Sequence, residues 1–318
     1  MVPNNTIMGC CSSSSVRRYI NPLAYGQDHS LANDLTFGNV TVKVALKMPH
    51  GTEYLEFDKG EFVLKTDIHD WLHSLFLNKK MTYYINYNDD RENKPCSGSG
   101  GHCKGCVAWN DDEIVWLLHS VPNFTIHLLE DGTFCSEKTV LHKGEHMYGQ
   151  SFVFVSGIDR SELPALLAEL SIMHPSVDKE FSNSILLTDL RDTKSHETVS
   201  HYVLSHGLEH LSKSPKTHID IFSDYIQPTY GGIWICETWI RGHHCPVSPV
   251  VFDNKNITFE NITYTNSHDH SKYACNQEEW VFIGDLNRMT SQYSRGGGGF
   301  MIKNAPLARA IRSLMVTL

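Results

Sequence analysis

Nowhere in its 318 residues does the chain hold the roughly 18 consecutive apolar positions of a membrane-spanning helix, so no membrane span is expected. Residues 1–37 also lack the apolar central segment of a secretory signal peptide, and the sequence as it stands predicts no export signal. Positive charge is in deficit. Twenty-seven Lys and Arg against 36 Asp and Glu leave a formal net charge of −9, which argues against a generic polyanion binder at neutral pH. Cysteine is sparse and odd in number, nine in all, where an extracellular disulfide framework favours an even count. Five Asn-x-Ser/Thr sequons, at Asn4, Asn39, Asn123, Asn256 and Asn261, pull weakly toward the secretory pathway, since chance alone gives about three in so Asn-rich a chain.

What is abundant is histidine. Adding 19 protons to a formal charge of −9 gives +10, so the sign of the protein reverses as pH falls through the His range near about 6.5. A nucleic acid would then be attracted in acid and repelled at neutral pH. With 20% charged and 10% aromatic residues the composition is that of a globular chain, long enough for one large domain or two fused units.

The first 37 residues read as irregular, with a Ser12–Ser15 run followed by Arg17 and Arg18. Period-two alternation predicts strands at Val42–Leu46, Tyr83–Tyr87, Ile114–Leu118 and Phe152–Val155. Helical periodicity fits Leu163–Leu170, Thr198–Leu211 and Ala305–Met315. Strands and helices are interspersed throughout, which predicts mixed α/β (α+β) layers. Ser97–Gly101 and Gly296–Gly299 read as flexible, Gly-rich loops.

A short pattern occurs twice, 168 residues apart: His102-Cys103-Lys104 and His270-Ser271-Lys272. In extended backbone, residues i and i+2 share a face, so each copy presents an imidazole beside an ammonium, and two copies could surround one phosphate. Chance placement of 19 His and 17 Lys would give about one such pattern, so the surroundings carry the argument. Each copy is followed by an apolar strand and then by a small or polar turn carrying an Asn: His119-Ser120-Val121-Pro122-Asn123 after the first, Gly284-Asp285-Leu286-Asn287 after the second. That parallel predicts an internal duplication closing on a shared cleft.

The phrases Gly101-His102-Cys103-Lys104-Gly105, Val115-Trp116-Leu117-Leu118-His119-Ser120-Val121-Pro122-Asn123-Phe124, Tyr148-Gly149-Gln150-Ser151, Asp269-His270-Ser271-Lys272 and Gly284-Asp285-Leu286-Asn287-Arg288 resemble the deoxyribonuclease II family. Weaker echoes are Ala45-Leu46-Lys47-Met48-Pro49, Tyr87-Asn88-Asp89 and Arg295-Gly296-Gly297-Gly298. The resemblance implies a phospholipase D-like pseudo-dimer in residues 38–318, with a first half of about 38–185 and a second of about 186–318. Each half would be a central sheet flanked by helices. It further implies metal-independent hydrolysis of DNA in acid to 3′-phosphate and 5′-hydroxyl ends, without a cofactor. In that reading His102, Lys104, His270, Lys272 and Asn287 are catalytic, with a phosphohistidine intermediate and His102 favoured as nucleophile. His119, Ser120, Asn123, Asp285 and Asp269 would orient the phosphate or the imidazoles, and Arg295 would follow the DNA backbone. DNA is then the expected partner, held mainly through its phosphates.

Family members usually carry disulfides and a signal peptide. Four positions where the resemblance leads one to expect Cys are Gly38, Phe154, Ala274 and Phe282 here, which sets a cytoplasmic location against the lysosomal or secreted one that the family implies. Two rival readings remain at this point. One is a zinc or redox module centred on Cys96, His102, Cys103 and Cys106, with His243, His244 and Cys245 as further ligands. The other is a family member that binds nucleic acid without cutting it.

Overall fold

The structure, a computed structural model, describes residues 35–90, 100–179, 182–183 and 198–315, with the backbone of the short strand Arg18–Tyr19. Of the predicted irregular extension 1–37, residues 35–37 are described and are ordered, with the short strand Thr36–Phe37 and with Leu35 and Phe37 in the core. Residues 1–17 and 20–34, the Gly-rich residues 97–99 and Cys96 lie outside the described residues, the sequon at Asn4 among them.

Two large sheets make up the fold. The first runs, edge to edge, Val177–Asp178, Tyr83–Asn88, Lys104–Trp109, Glu113–His119, Gln150–Asp159, Val40–Lys47, Tyr54–Asp58 and Glu61–Lys65. The second runs Arg18–Tyr19, Val199–Val203, Glu209–Lys213, Gly297–Lys303, Trp280–Gly284, Lys272–Asn276, Trp234–Thr238 and Val251–Asp253. The predicted duplication is visible in this order. A strand opening with the motif lysine is followed by two antiparallel strands and a helix in each half. These are Lys104–Trp109, Glu113–His119, Gln150–Asp159 and helix Leu163–Met173 in the first, and Lys272–Asn276, Trp280–Gly284, Gly297–Lys303 and helix Ala305–Leu314 in the second.

Alternation along these strands explains the layers. Trp116 and Leu118 join Val153, Val155, Tyr273, Ile283 and Phe300 in a core shared by the two sheets, whereas Leu117, Phe152 and Phe154 face an outer core under helix Ile68–Phe76. Met301 and Phe282 face a third core with Phe222 and Trp234. Both faces of each sheet are therefore buried. Helix Leu163–Met173 enters the shared core through Leu163, Leu166, Leu170 and Met173, a helical repeat of one face. Helix Ala305–Leu314 is started by Asn304, whose side chain accepts from the Leu307 amide at 2.8 Å, and it buries Leu307, Ala308, Ile311 and Leu314.

Two expectations are corrected. Residues 198–211 do not form a helix. They give the antiparallel strands Val199–Val203 and Glu209–Lys213, reversed at Ser205–Gly207, where His206 and Gly207 take φ of 79° and 89°. The spacing of Val199, Val203 and Leu211 imitates a helical stripe, but a helix cannot pass through two consecutive left-handed residues. The run Gly297–Gly299 is not a loop either, being the buried start of strand Gly297–Lys303. A Cβ on Gly298 would lie 2.2 Å from the Leu211 carbonyl oxygen, and one on Gly296 2.1 Å from that of Met173. These glycines permit close backbone approach rather than mobility. Ala274 and Phe282 stand directly opposite each other on adjacent strands and fill the third core.

Gly298→Ala is expected to destabilise the fold by about 1–3 kcal/mol through this overlap, read as a lower urea midpoint with an unchanged slope.

Candidate active site

Each motif histidine lies just before the strand that its lysine opens, and each is tethered to the other half. The His102 amide donates to the Gly296 carbonyl at 2.7 Å, and the His270 amide donates to the Gly149 carbonyl at 2.8 Å. Gly296 and Gly149 occupy equivalent places, each immediately before the third strand of its own half. Parallel bridges Gly101–Gly296 and Gly149–Asp269 complete the exchange. The Gly101 amide also donates to the His174 carbonyl at 2.8 Å, just past the end of helix Leu163–Met173, where His174 adopts φ 55°.

The side chains of the first pair are fixed from both halves. The Nδ1 atom of His102 lies 2.7 Å from the Asp285 carbonyl oxygen, which can only accept, so Nδ1 carries the proton and the neutral ring keeps its lone pair on Nε2. Burial, and then the Lys104 ammonium, hold the His102 pKa well below its usual range. Nζ of Lys104 donates to Asp89 Oδ1 at 2.5 Å. Burial works against the charge of Lys104, but the Asp89 carboxylate more than offsets it and its pKa is raised. Asp89 Oδ2 accepts from Arg295 Nη2 at 2.7 Å, and the same guanidinium donates to the carbonyls of Gly100 and Gly101. Arg295 is thus turned inward onto the first motif, only 8% exposed, rather than outward along a DNA backbone.

The second pair sits in a different environment. The His270 ring stacks on Tyr148, with centroids 4.1 Å apart and planes 13° apart, and meets Trp239 at 4.1 Å. Its Nδ1 faces Glu145 Oε2 at 3.6 Å and Gln150 Nε2 at 3.4 Å, while its buried Nε2 has no partner among the described residues. Burial lowers the His270 pKa, Glu145 pulls the other way, and Lys272 and Lys104 lower it further. Nζ of Lys272 donates to the His270 carbonyl at 2.5 Å, and its amide donates to Ser151 Oγ at 3.1 Å. Burial and then the Lys104 charge bring Lys272 down to about 7. Lys272 acts on His102 and Lys104 acts on His270, so both motifs share one electrostatic locus.

The remaining predicted residues are each fixed by hydrogen bonds of their own. His119 is buried and accepts the Val121 amide on Nδ1, so it is neutral; burial, then Lys104 and Lys272, depress its pKa to about 3. Ser120 Oγ donates to Gln150 Oε1 at 2.6 Å and accepts from the Ser151 amide at 2.9 Å. Asn123 adopts φ 51°, and its amide donates to the Asp90 carbonyl. Asn287 Oδ1 accepts from the Trp239 amide at 3.2 Å. Asp285 is buried, with Oδ1 3.3 Å from the Lys104 amide, and burial raises its pKa well above the usual carboxylate range despite Lys104. Asp269 Oδ1 accepts from the Ser271 amide at 2.8 Å, and burial raises its pKa too. Asp89, Glu145, Gln150, Tyr148 and Trp239 join the site without a role that the sequence marks. Asp89, Tyr148 and Gln150 do lie in phrases that carried the resemblance, and Glu145 and Trp239 had no sequence signal.

Strand geometry separates Cys103 from Cys106, two of the four residues on which the zinc or redox reading is centred, while Cys96 lies outside the described residues. Cys103 joins the shared inner core and Cys106 the outer one, so they leave opposite faces of the sheet, and burial raises both thiol pKa values. A single metal or a disulfide cannot bridge them.

Fold and site together define a two-half protein that brings a duplicated imidazole–ammonium pair to one buried locus. The family model for deoxyribonuclease II matches residues 48–318, and the chain belongs to that family. It is 26% identical to deoxyribonuclease-2 of Caenorhabditis elegans over 252 residues, which cover 71% of this chain and 63% of that protein. It is 26% identical over 257 residues to a putative deoxyribonuclease-2 of Burkholderia thailandensis, covering 72% and 70%. Identity to mouse deoxyribonuclease-2-beta is 27% over 258 residues, covering 73% and 70%.

Asp89→Asn leaves Lys104 and Arg295 without their shared carboxylate and is expected to cost on the order of 3 kcal/mol in urea unfolding. His119, depressed when folded, is protonated first in the unfolded chain. Its contribution is full above about pH 6.5 and lost as pH falls toward about 3, and His119→Asn should flatten that part of the stability profile.

Proposed function

We propose that the protein is a metal-independent acid endodeoxyribonuclease that cleaves DNA through a phosphohistidine to 3′-phosphate and 5′-hydroxyl ends. Residues 38–318 form the catalytic unit in this reading, with halves of about 38–185 and 186–318. The observation that carries it is the reciprocal tethering of His102 and His270 across the two halves, with complementary surroundings for the two rings.

His102, its Nδ1–H held by the Asp285 carbonyl, offers the Nε2 lone pair to phosphorus. His270, with Glu145 beside Nδ1, carries a proton on Nε2 for the departing 5′ oxygen. The P–O5′ bond breaks, the 5′-hydroxyl leaves, and the 3′ phosphate remains on His102. Water, deprotonated by His270, then attacks phosphorus and releases His102. Lys104 and Lys272 offset charge on the non-bridging oxygens, and the Asn287 amide group adds a neutral donor. Asp89 and Arg295 position Lys104, while Ser120 positions Gln150 beside His270. His119, Asn123 and Asp269 shape the surrounding backbone. DNA is held through its phosphates, with affinity that falls as salt rises.

Activity needs His102 neutral and His270 protonated. Because both pKa values are lowered, the optimum is expected below about pH 6.5, with activity lost as pH rises through the His270 value. Plasmid DNA incubated with excess EDTA from pH 4.5 to 8 tests this directly. Cleavage that resists EDTA, peaks in acid, leaves 3′-phosphates and disappears in His102→Ala and His270→Ala is expected. Cleavage abolished by EDTA would contradict it, and none at any pH would favour a non-cutting nucleic-acid binder.

A further inference from the structure

Two buried lysines outside the motifs occupy equivalent places in the two halves. Lys47 ends strand Val40–Lys47 and pairs with Gln150, and Lys213 ends strand Glu209–Lys213 and pairs with Gly297. Gln150 and Gly297 each open the third strand of their half. The two lysines are 0% and 1% exposed, and among the described residues neither ammonium lies within 4.0 Å of a carboxylate. Their partners are backbone carbonyls. Lys47 Nζ donates to His146 O at 3.2 Å and Tyr148 O at 2.7 Å, with Met48 O as a third acceptor at 2.8 Å. Lys213 Nζ donates to Tyr293 O at 2.9 Å and Arg295 O at 2.6 Å.

The same pair of carbonyls, two residues apart, is held in both halves. Each held loop ends one residue before the glycine whose carbonyl receives the opposite histidine's amide: Tyr148 before Gly149 and His270, Arg295 before Gly296 and His102. The side chains follow suit. Tyr148 stacks on His270, and Arg295 grips the Asp89 that holds Lys104. Burying an ammonium among neutral carbonyls is costly unless several strong donors are satisfied at once, and one ammonium can draw two carbonyls to a common point.

We propose that Lys47 and Lys213 are a duplicated pair of positioning residues, each setting the backbone that carries the other half's histidine, Lys47 for His270 and Lys213 for His102. What the histidines then do rests on the proposed nuclease reaction. Burial lowers both lysines to about 8, against opposing pulls from Asp269 and Glu145 on Lys47 and from Asp220 on Lys213, so both stay charged in acid.

The test is Lys47→Met and Lys213→Met in the full chain, with neutral side chains of similar length. Histidine ring NMR signals, assigned with His102→Ala and His270→Ala, are followed against pH beside steady-state cleavage of DNA. In Lys47→Met the His270 signals and their titration should move while those of His102 stay. Lys213→Met should do the reverse. Per folded molecule, kcat should fall about 10–100-fold, with KM within about twofold because the phosphate contacts remain. A lower melting temperature with both imidazoles unmoved and kcat within about twofold would overturn the proposal, as would a shift in the wrong histidine. Should a Met variant fail to fold, Lys→Gln at the same position keeps a neutral N–H donor and is judged by the same criteria. The ring signals need no turnover, so an inactive protein would defeat the nuclease reading without deciding this one.

Discussion

Everything at the site depends on a backbone exchange between halves: each motif histidine gives its amide to a glycine carbonyl of the other half. A side-chain contact could be rebuilt by a rotamer change, whereas a main-chain bond fixes where the residue itself can be. With both bonds made, neither imidazole can be placed without the other half being folded against it. The shared core of Trp116, Leu118, Ile283 and Phe300 supplies the burial that holds the halves together.

The same enclosure sets the electrostatics. Two lysines, His270 and three carboxylates, Asp89, Asp269 and Asp285, are almost wholly removed from water around one locus, with His102 half-buried beside them. Burial disfavours every charge there, and the structure answers unequally. Lys104 keeps its charge through Asp89, whereas Lys272, facing Lys104 without such a direct partner, drops to about 7. The imidazoles differ as well, His102 against a carbonyl and His270 between aromatic rings beside Glu145. A duplicated sequence has thus become an asymmetric site. In the proposed reaction that asymmetry assigns attack to one ring and proton delivery to the other.

Much of this was legible in the sequence because it rests on local patterns. The strands around Val42–Leu46, Ile114–Leu118 and Phe152–Val155 announce themselves by alternation, and the His-x-Lys repeat marks the locus. What stayed hidden depends on distant approach. The hairpin at Ser205–Gly207 looked helical because apolar spacing says nothing of the sign of φ at His206. The run Gly297–Gly299 looked mobile because only the neighbouring Leu211 and Ile283 carbonyls reveal why no side chain fits. Glu145 and Trp239 carry no pattern at all, since each reaches His270 from another part of the chain.

The central claim is that the two motifs form one site in which His102 is the nucleophile. Quenching the acid reaction with alkali, under which a phosphohistidine persists, and mapping any covalently attached nucleotide by mass spectrometry tests it most directly. The account predicts a 3′-phosphoryl adduct on His102 alone. An adduct on His270, or rapid cleavage with no adduct on either histidine, would contradict it.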